Sequence, residues 1–484
     1  MADAFDVVVI GAGPGGYVAA IRSAQLGMKT AVVEREALGG VCLNVGCIPS
    51  KAMISASHFY ARMQHDAPTM GLKIKGEISV DMKQLQTWKQ SVVDKMTGGV
   101  GQLLKGNGVT VLMGEANFKS AKELSIKSKS GEQTVTAKNF IIATGSRPFE
   151  IPGFKIDEQD VMSSTGALAL SELPKRLVVI GGGYIGLEIG TFLAKLGTEV
   201  EILEAGPGLL TGAADPDCVQ VVDRKVKKLG VKVHTGAKAS GWKRSGKGVE
   251  VTADIGGKTE TIKADKVLLT VGRKPNSDQM NLKGIGLVID EKGFIKVNAQ
   301  RKTNLPGIFA IGDIAGQPML AHKASHEGVM VAEIIAGQNR AYDAKTVPAV
   351  IFVDPEIASA GWTEAECKAK GHTDLKVGRF PFVANARAVS VMETEGFVKI
   401  IADAKTHVVL GVHIVGPEAS NLISEAVLAV EMGARLEDIA LSIHPHPTLG
   451  ETMMEAAEAA LGHAIHIIQK PLHKGAAASL RANA

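Results

Sequence analysis

Residues 39–51 read GGVCLNVGCIPSK and place Cys42 and Cys47 five positions apart in a chain of 484 residues whose only other cysteines are Cys218 and Cys367. A disulfide needs Cα atoms within about 7 Å, whereas residues i and i+5 of an ideal helix lie about 8.7 Å apart. Pairing therefore demands a distorted helix, and Pro49, which disfavours the α region at Ile48, is expected to help keep the turn irregular. A strained bond across so short a loop is easily reduced and adds little as a staple. A metal would need further ligands, and Cys218 and Cys367 show no matching spacing. The residues favour a pair that opens and closes.

Thiol exchange proceeds through the thiolate, and a free thiol titrates near pH 8.5, so a base is expected nearby. Of thirteen histidines, two stand in IHPHPTLGE at 443–451. His444 and His446 alternate in a proline-braced extended segment, so their side chains point to opposite faces and only one can serve. A helix reading TMMEAAEAALGHAI, starting near Thr448, would hold Glu451 where it can accept a proton from an imidazole. A carboxylate-backed histidine is a general-base arrangement.

Two copies of one supersecondary unit position this chemistry. FDVVVI (5–10) reads as a fully buried strand, followed by GAGPGG, the helical stretch YVAAIRSAQLG and the strand TAVVE. Gly11, Gly13 and Gly16 occupy the G-x-G-x-x-G positions that permit a tight turn, backbone approach to a pyrophosphate and close helix packing, and Glu34 ends the second strand. RLVVI, GGGYIG, LEIGTFLAKLG and TEVEILE repeat the pattern, with Gly181, Gly183, Gly186 and Glu204 in the same roles. The chain is expected to bind two dinucleotides. Glu204 would repel a 2′-phosphate and no arginine follows it in EAGPGLL, which favours NAD over NADP. IIATGSRP (141–148) and IFAIGDI (308–314) are apolar runs suited to returning the chain to the first dinucleotide, with Asp313 placed to hydrogen-bond a polyol.

The length implies several domains. A net charge of +4 with 21% charged residues is too slight to indicate nucleic acid or a membrane surface, and 55 glycines with 4% aromatics suit tight turns rather than stacking platforms. No apolar run reaches the ~18 residues of a membrane span. The first strand begins so early that no targeting segment is expected, which suggests a cytoplasmic protein or, alternatively, a processed one such as a mitochondrial matrix form.

Taken together, GGVCLNVGCIPSK, both glycine loops, ATGSRP, TVGRKPN, AIGD and HPHPT resemble the flavin disulfide oxidoreductases, over about residues 5–468. Within that family the chain is most similar to members that oxidise dihydrolipoyl groups. The resemblance implies an α/β fold with an FAD-binding domain (1–147), an NAD-binding domain (148–275), a central domain completing the FAD site (276–346), an α+β dimerisation domain (347–468) and a flexible tail (469–484). It implies FAD on the first unit, NAD on the second, and a homodimer that shares active sites between subunits and works with the lipoyl domains of an acyltransferase core. It assigns Cys42 to exchange with substrate, Cys47 to face the flavin, His446 as base and Glu451 as its partner. Lys51 and Glu188 match a flavin-side ion pair, Gly145 and Asp313 are FAD contacts, and Met319, Leu320, Ala321 and His322 would lie against the flavin ring. Gly114, Thr144 and Gly272 complete the implied cofactor contacts, and no metal is implied. Tyr184 stands where valine is usual and resembles the nicotinamide-pocket gate of glutathione reductases.

Overall fold

A computed structural model describes residues 3–469. The tail expected at 469–484 lies outside the described residues except for Gln469. Because VVVI is apolar at successive positions, the strand Asp3–Ile10 can be buried on both faces, and Val7, Val8 and Val9 have no exposed surface. It pairs in parallel with Thr30–Glu34 on one side and Gly131–Ile142 on the other. The sheet continues through Thr110–Met113 at one end and the antiparallel strands Glu123–Ser128 and Glu115–Ser120 at the other.

Segment 276–346 forms no sheet of its own among the described residues. It adds Ile308–Ala310 in parallel beside Phe140–Ile142, and its helix Ala321–Ile335 packs on Pro14–Gln25. Small residues permit this contact: a Cβ on Gly328 would come within 2.6 Å of the Gly15 carbonyl oxygen.

The second unit repeats strand, helix and strand as Arg176–Ile180, Tyr184–Lys195 and Glu199–Glu204. Its five-stranded sheet is completed by Lys232–Thr235, Lys266–Leu269 and Val161–Met162, and a three-stranded antiparallel sheet (238–264) flanks it. The chain enters and leaves this unit through Ser146–Pro148 and Arg273–Pro275, which pair antiparallel. The third unit is a five-stranded antiparallel sheet covered by the helices Ala419–Met432 and Glu451–Leu461, with Val398, Ile400, Val412, Ile414, Ala426 and Met453 in its core.

Two local expectations are corrected. The last helix runs Glu451–Leu461 rather than from Thr448 through Ile465, because Gly462 turns left-handed (φ 85°) and ends it. The irregularity between the cysteines lies at Gly46, not at Ile48, which is helical; Pro49 sits in the first turn of a helix, where its missing N–H costs nothing. Among the described residues, no helix is long and apolar enough to cross a membrane.

Candidate active site

Cys42 lies on the short helix Gly40–Val45, and Cys47 is the first residue of the long helix Cys47–Thr69. Gly46 allows the break between them: a Cβ there would meet the Val41 carbonyl oxygen at 2.9 Å. The two thiols adjoin, and the contact with Cys42, with help from the Lys51 ammonium one turn along and against the opposing effect of burial, lowers Cys47 to about 7. A helix N-terminus favours the same charge. Cys42 is pushed up by the adjoining Cys47 and by burial. Two cysteines that look equivalent in sequence thus differ in surroundings: Cys47 opens a long helix one turn from Lys51, and Cys42 lies on the short helix before it. Among the described residues no group of histidine, cysteine and carboxylate side chains could hold a metal.

Lys51 Nζ lies 2.8 Å from Glu188 Oε2, and Glu188, on the helix of the second unit, is buried. Ser50 Oγ donates to the same oxygen at 3.3 Å. Phe352, which the sequence analysis did not single out, touches both partners: its N–H donates to Glu188 Oε1 at 2.9 Å, and its ring centroid lies 4.3 Å from Lys51 Nζ. No local pattern marks this residue, because its partners are on other units.

The glycine loops repeat atom for atom. Gly11 and Gly181 adopt φ 97° and 105°, and a Cβ on either would meet the carbonyl oxygen of Ala143 or Thr270 at 2.6 Å. Gly16 and Gly186 press so closely on the turn that a Cβ would overlap the Gly11 or Gly181 oxygen, at 1.8 and 2.3 Å. Gly13 and Gly183 have nothing within 4 Å of a Cβ position, leaving the backbone free to face a pyrophosphate. Each terminal acid is tied to its loop: Glu34 accepts from Ala12 N and Glu36 N at 2.8 Å, and Glu204 from Gly182 N at 2.6 Å and Gly206 N at 2.5 Å. Thr144 Oγ1, beside the first loop, is buried without a partner among the described residues. Open backbone and this hydroxyl fit a bound dinucleotide.

Around the first loop, Asp313 accepts from Ser146 Oγ at 2.6 Å, and Ser146 Oγ accepts from Arg273 Nε at 2.7 Å. Arg273 is a further residue that sequence reasoning passed over, although it lies inside the quoted TVGRKPN. Gly114 N donates to the Glu34 carbonyl, the Gly145 carbonyl accepts from Asn276 N, and that of Gly272 from Phe149 N. Met319 and Leu320 lead into the helix beginning at Ala321, and His322 Nε2 lies 2.8 Å from the Pro348 carbonyl oxygen. Tyr184 opens the helix of the second unit; crowding raises its phenol, and it feels the charges of Arg273, Asp313, Glu188 and Cys47.

The two histidines of the proline-braced segment part as their alternation requires. His444 turns inward between the Ser442 carbonyl oxygen (2.8 Å) and Glu425 (3.0 Å). His446 projects outward, with Nδ1 2.8 Å from Glu451 Oε1, while Glu451 Oε2 accepts from Thr448 N at 2.8 Å. Burial works against charge on Glu451, but the Thr448 and His446 bonds hold its carboxyl below the usual range. Among the described residues, neither His446 nor Glu451 is hydrogen-bonded to a cysteine of its own chain.

The pyridine nucleotide-disulphide oxidoreductase family matches residues 5–328, and that family's dimerisation domain matches 347–457. The chain belongs to this family. Curated proteins named dihydrolipoyl dehydrogenase from Bacillus subtilis (strain 168) and Geobacillus stearothermophilus are each 52% identical over 465 residues, covering 96% of this chain and 98% of theirs. Among solved structures, LpdA from Mycobacterium tuberculosis superposes with a TM-score of 0.87 at 26% identity, over 94% of this chain and 99% of that one. The flavoprotein disulfide reductase RclA from Escherichia coli gives 0.85 at 25% identity, over 95% and 99%. As a pyridine nucleotide-disulphide oxidoreductase the chain uses FAD and NAD, and its dimerisation domain makes it a homodimer.

Proposed function

We propose that this oxidoreductase oxidises protein-bound dihydrolipoyl groups to lipoyl disulfides with NAD⁺, serving the acyltransferase core of a 2-oxo acid dehydrogenase complex or the glycine cleavage system. The observation that supports the thiol chemistry is the placing of the cysteine pair: Cys47 at the start of a long helix one turn from the Lys51–Glu188 ion pair, and Cys42 adjoining it across the break at Gly46. Substrate identity rests on the near-complete likeness to proteins named dihydrolipoyl dehydrogenase.

In the oxidised enzyme Cys42 and Cys47 form a disulfide. His446 of the partner subunit, oriented by Glu451, takes a proton from one substrate thiol, and the resulting thiolate attacks Cys42 Sγ. Cys47 leaves as thiolate, because the lower-pKa thiol is the better leaving group. His446 then hands its proton to Cys42 as the second substrate thiol closes the lipoyl disulfide and expels it, and the imidazole takes the proton of that second thiol, so that Cys42 ends as a thiol, Cys47 as a thiolate and His446 protonated. Two electrons now reside in the cysteine pair. Gly11, Gly13, Thr144, Asp313 and their neighbours would hold FAD at the first loop, where it would supply the two-electron chemistry that links the thiols to NAD at the second loop. Lys51 keeps Cys47 charged on that side, and Glu188 holds Lys51. Lipoyl domains are the macromolecular partners, and a cytoplasmic location suits that role.

A second reading, a reductase of another disulfide driven by NADPH, gains from Tyr184 but finds no arginine or lysine in the EAGPGLL stretch that begins at Glu204. Assays of NADH and NADPH against lipoamide and glutathione separate the two. The test of the thiol scheme is Cys47→Ser: bound FAD is retained and lipoamide turnover disappears, whereas undiminished turnover would sink it.

A further inference from the structure

Lys51 lies on the helix that begins with Cys47, and its side chain is about a third exposed (33%). A lysine with that freedom loses rotamer entropy when held at one point and has water as an alternative partner. Two contacts hold it: Glu188 and the face of the Phe352 ring. The Phe352 N–H also fixes Glu188, so one residue from the dimerisation unit clamps both halves of an ion pair built between the two dinucleotide units.

We propose that Phe352 is a positioning residue that holds the Lys51 ammonium, one helical turn from Cys47, in place against Glu188 and thereby favours the reactive thiolate form of Cys47. The inference rests on the reading of Cys47 as the flavin-facing thiolate. Glu188 and Lys51 act on Cys47 in opposite senses, the carboxylate raising it and the ammonium lowering it. Placement of the cation therefore decides the balance. A ring face attracts an ammonium without hydrogen-bonding it away from Cys47, and its backbone bond to Glu188 anchors the carboxylate. The third unit thus sets the reactivity of a thiol carried by the first.

The test compares wild type, Phe352→Leu and Phe352→Tyr as reduced full-length holoenzyme. The pH dependence of iodoacetamide alkylation at Cys47, followed by peptide mapping so that Cys42 is counted separately, reads its thiolate character; in wild type it rises through the region of Cys47, lowered to about 7. Phe352→Leu, which keeps volume but not the ring, moves that rise to higher pH and slows alkylation at pH 7 by roughly three-fold. Phe352→Tyr keeps the wild-type profile. In a Lys51→Met background Phe352→Leu adds no further shift, because the cation it acts through is gone. The thiolate-to-flavin charge-transfer absorbance at pH 7 falls in Phe352→Leu in parallel. A wild-type profile in Phe352→Leu, equal shifts in the Leu and Tyr variants, or an undiminished effect in the Lys51→Met background overturns the proposal. Absence of the charge-transfer band in wild type overturns the flavin-facing assignment of Cys47 instead, and the alkylation comparison still decides the role of Phe352.

Discussion

Glu451→Gln removes one negative charge and almost no volume. In the structure Oε1 faces His446 Nδ1 and Oε2 accepts from Thr448 N, each at 2.8 Å. A glutamine has one acceptor oxygen for these two donors. Hydrogen bonds to a charged group contribute about 1.5–3 kcal/mol and neutral ones about 0.5–1.5 kcal/mol. The His446 side chain is 72% exposed in the single chain, which places the loss at the low end. About 1.4 kcal/mol of support for the imidazole is removed, equivalent to roughly ten-fold in rate. The expected result is a roughly ten-fold fall in kcat/KM for dihydrolipoamide. NADH-driven reduction of an artificial dye, which bypasses the base, stays unchanged. Stability supplies a second check. Because the folded carboxyl is held below its ordinary range, its stabilising contribution is present above the unfolded value of about 4.3 and is lost as pH falls through the folded value. The gap in melting temperature between wild type and Glu451→Gln is therefore widest near neutrality and closes on acidification below about pH 4. An unchanged kcat/KM, an equal fall in both activities, or a gap independent of pH refutes the reasoning.

Gly183→Ala meets no atom within 4 Å and Gly183 has an ordinary φ of −76°, so the melting temperature should hold while KM for NAD⁺ rises about ten-fold, since each ~1.4 kcal/mol of lost affinity is one decade. Gly186→Ala, whose Cβ would lie 2.3 Å from the Gly181 oxygen, should instead lower stability by at least about 1–3 kcal/mol in urea unfolding. Lys399 is buried among Asp215, Asp217 and Glu364 at 3.1, 2.8 and 2.7 Å, joining the third unit to the second. Lys399→Met strands the buried Asp215 and should cost about 3–5 kcal/mol in chemical denaturation; an unchanged midpoint would contradict a stabilising role. Leu428 and Met432, one turn apart on Ala419–Met432, are 64% and 74% exposed in the single chain. The double variant Leu428→Glu, Met432→Glu should sediment as a monomer and lose lipoamide turnover, and a persistent dimer would move the interface elsewhere.

Local sterics made much of this protein legible from its residues. The close packing of Gly16 on Gly11 and of Gly186 on Gly181 is local to one strand, turn and helix, whereas Gly11 and Gly181 are also hemmed in by Ala143 and Thr270 at the ends of strands that return much later in the chain. The alternation of His444 and His446 likewise needs only an extended backbone to send one inward and one outward. Where reading overran, at the end of the last helix and at Pro49, a single glycine conformation had the final word.

The sequence by itself determined the two dinucleotide loops, the close cysteine pair suited to redox chemistry and the alternation of the two histidines in their proline-braced segment. Tertiary structure decided which partners those groups meet. Glu188 reaches Lys51 across 137 positions and Phe352 reaches Glu188 across 164, distances over which no periodicity or spacing carries information. Such contacts arise only when separately folded units dock. That docking brings Glu188 and Phe352 to Lys51, while the break at Gly46 puts Cys47 at a helix start with Cys42 beside it, and together they give two similar thiols different surroundings.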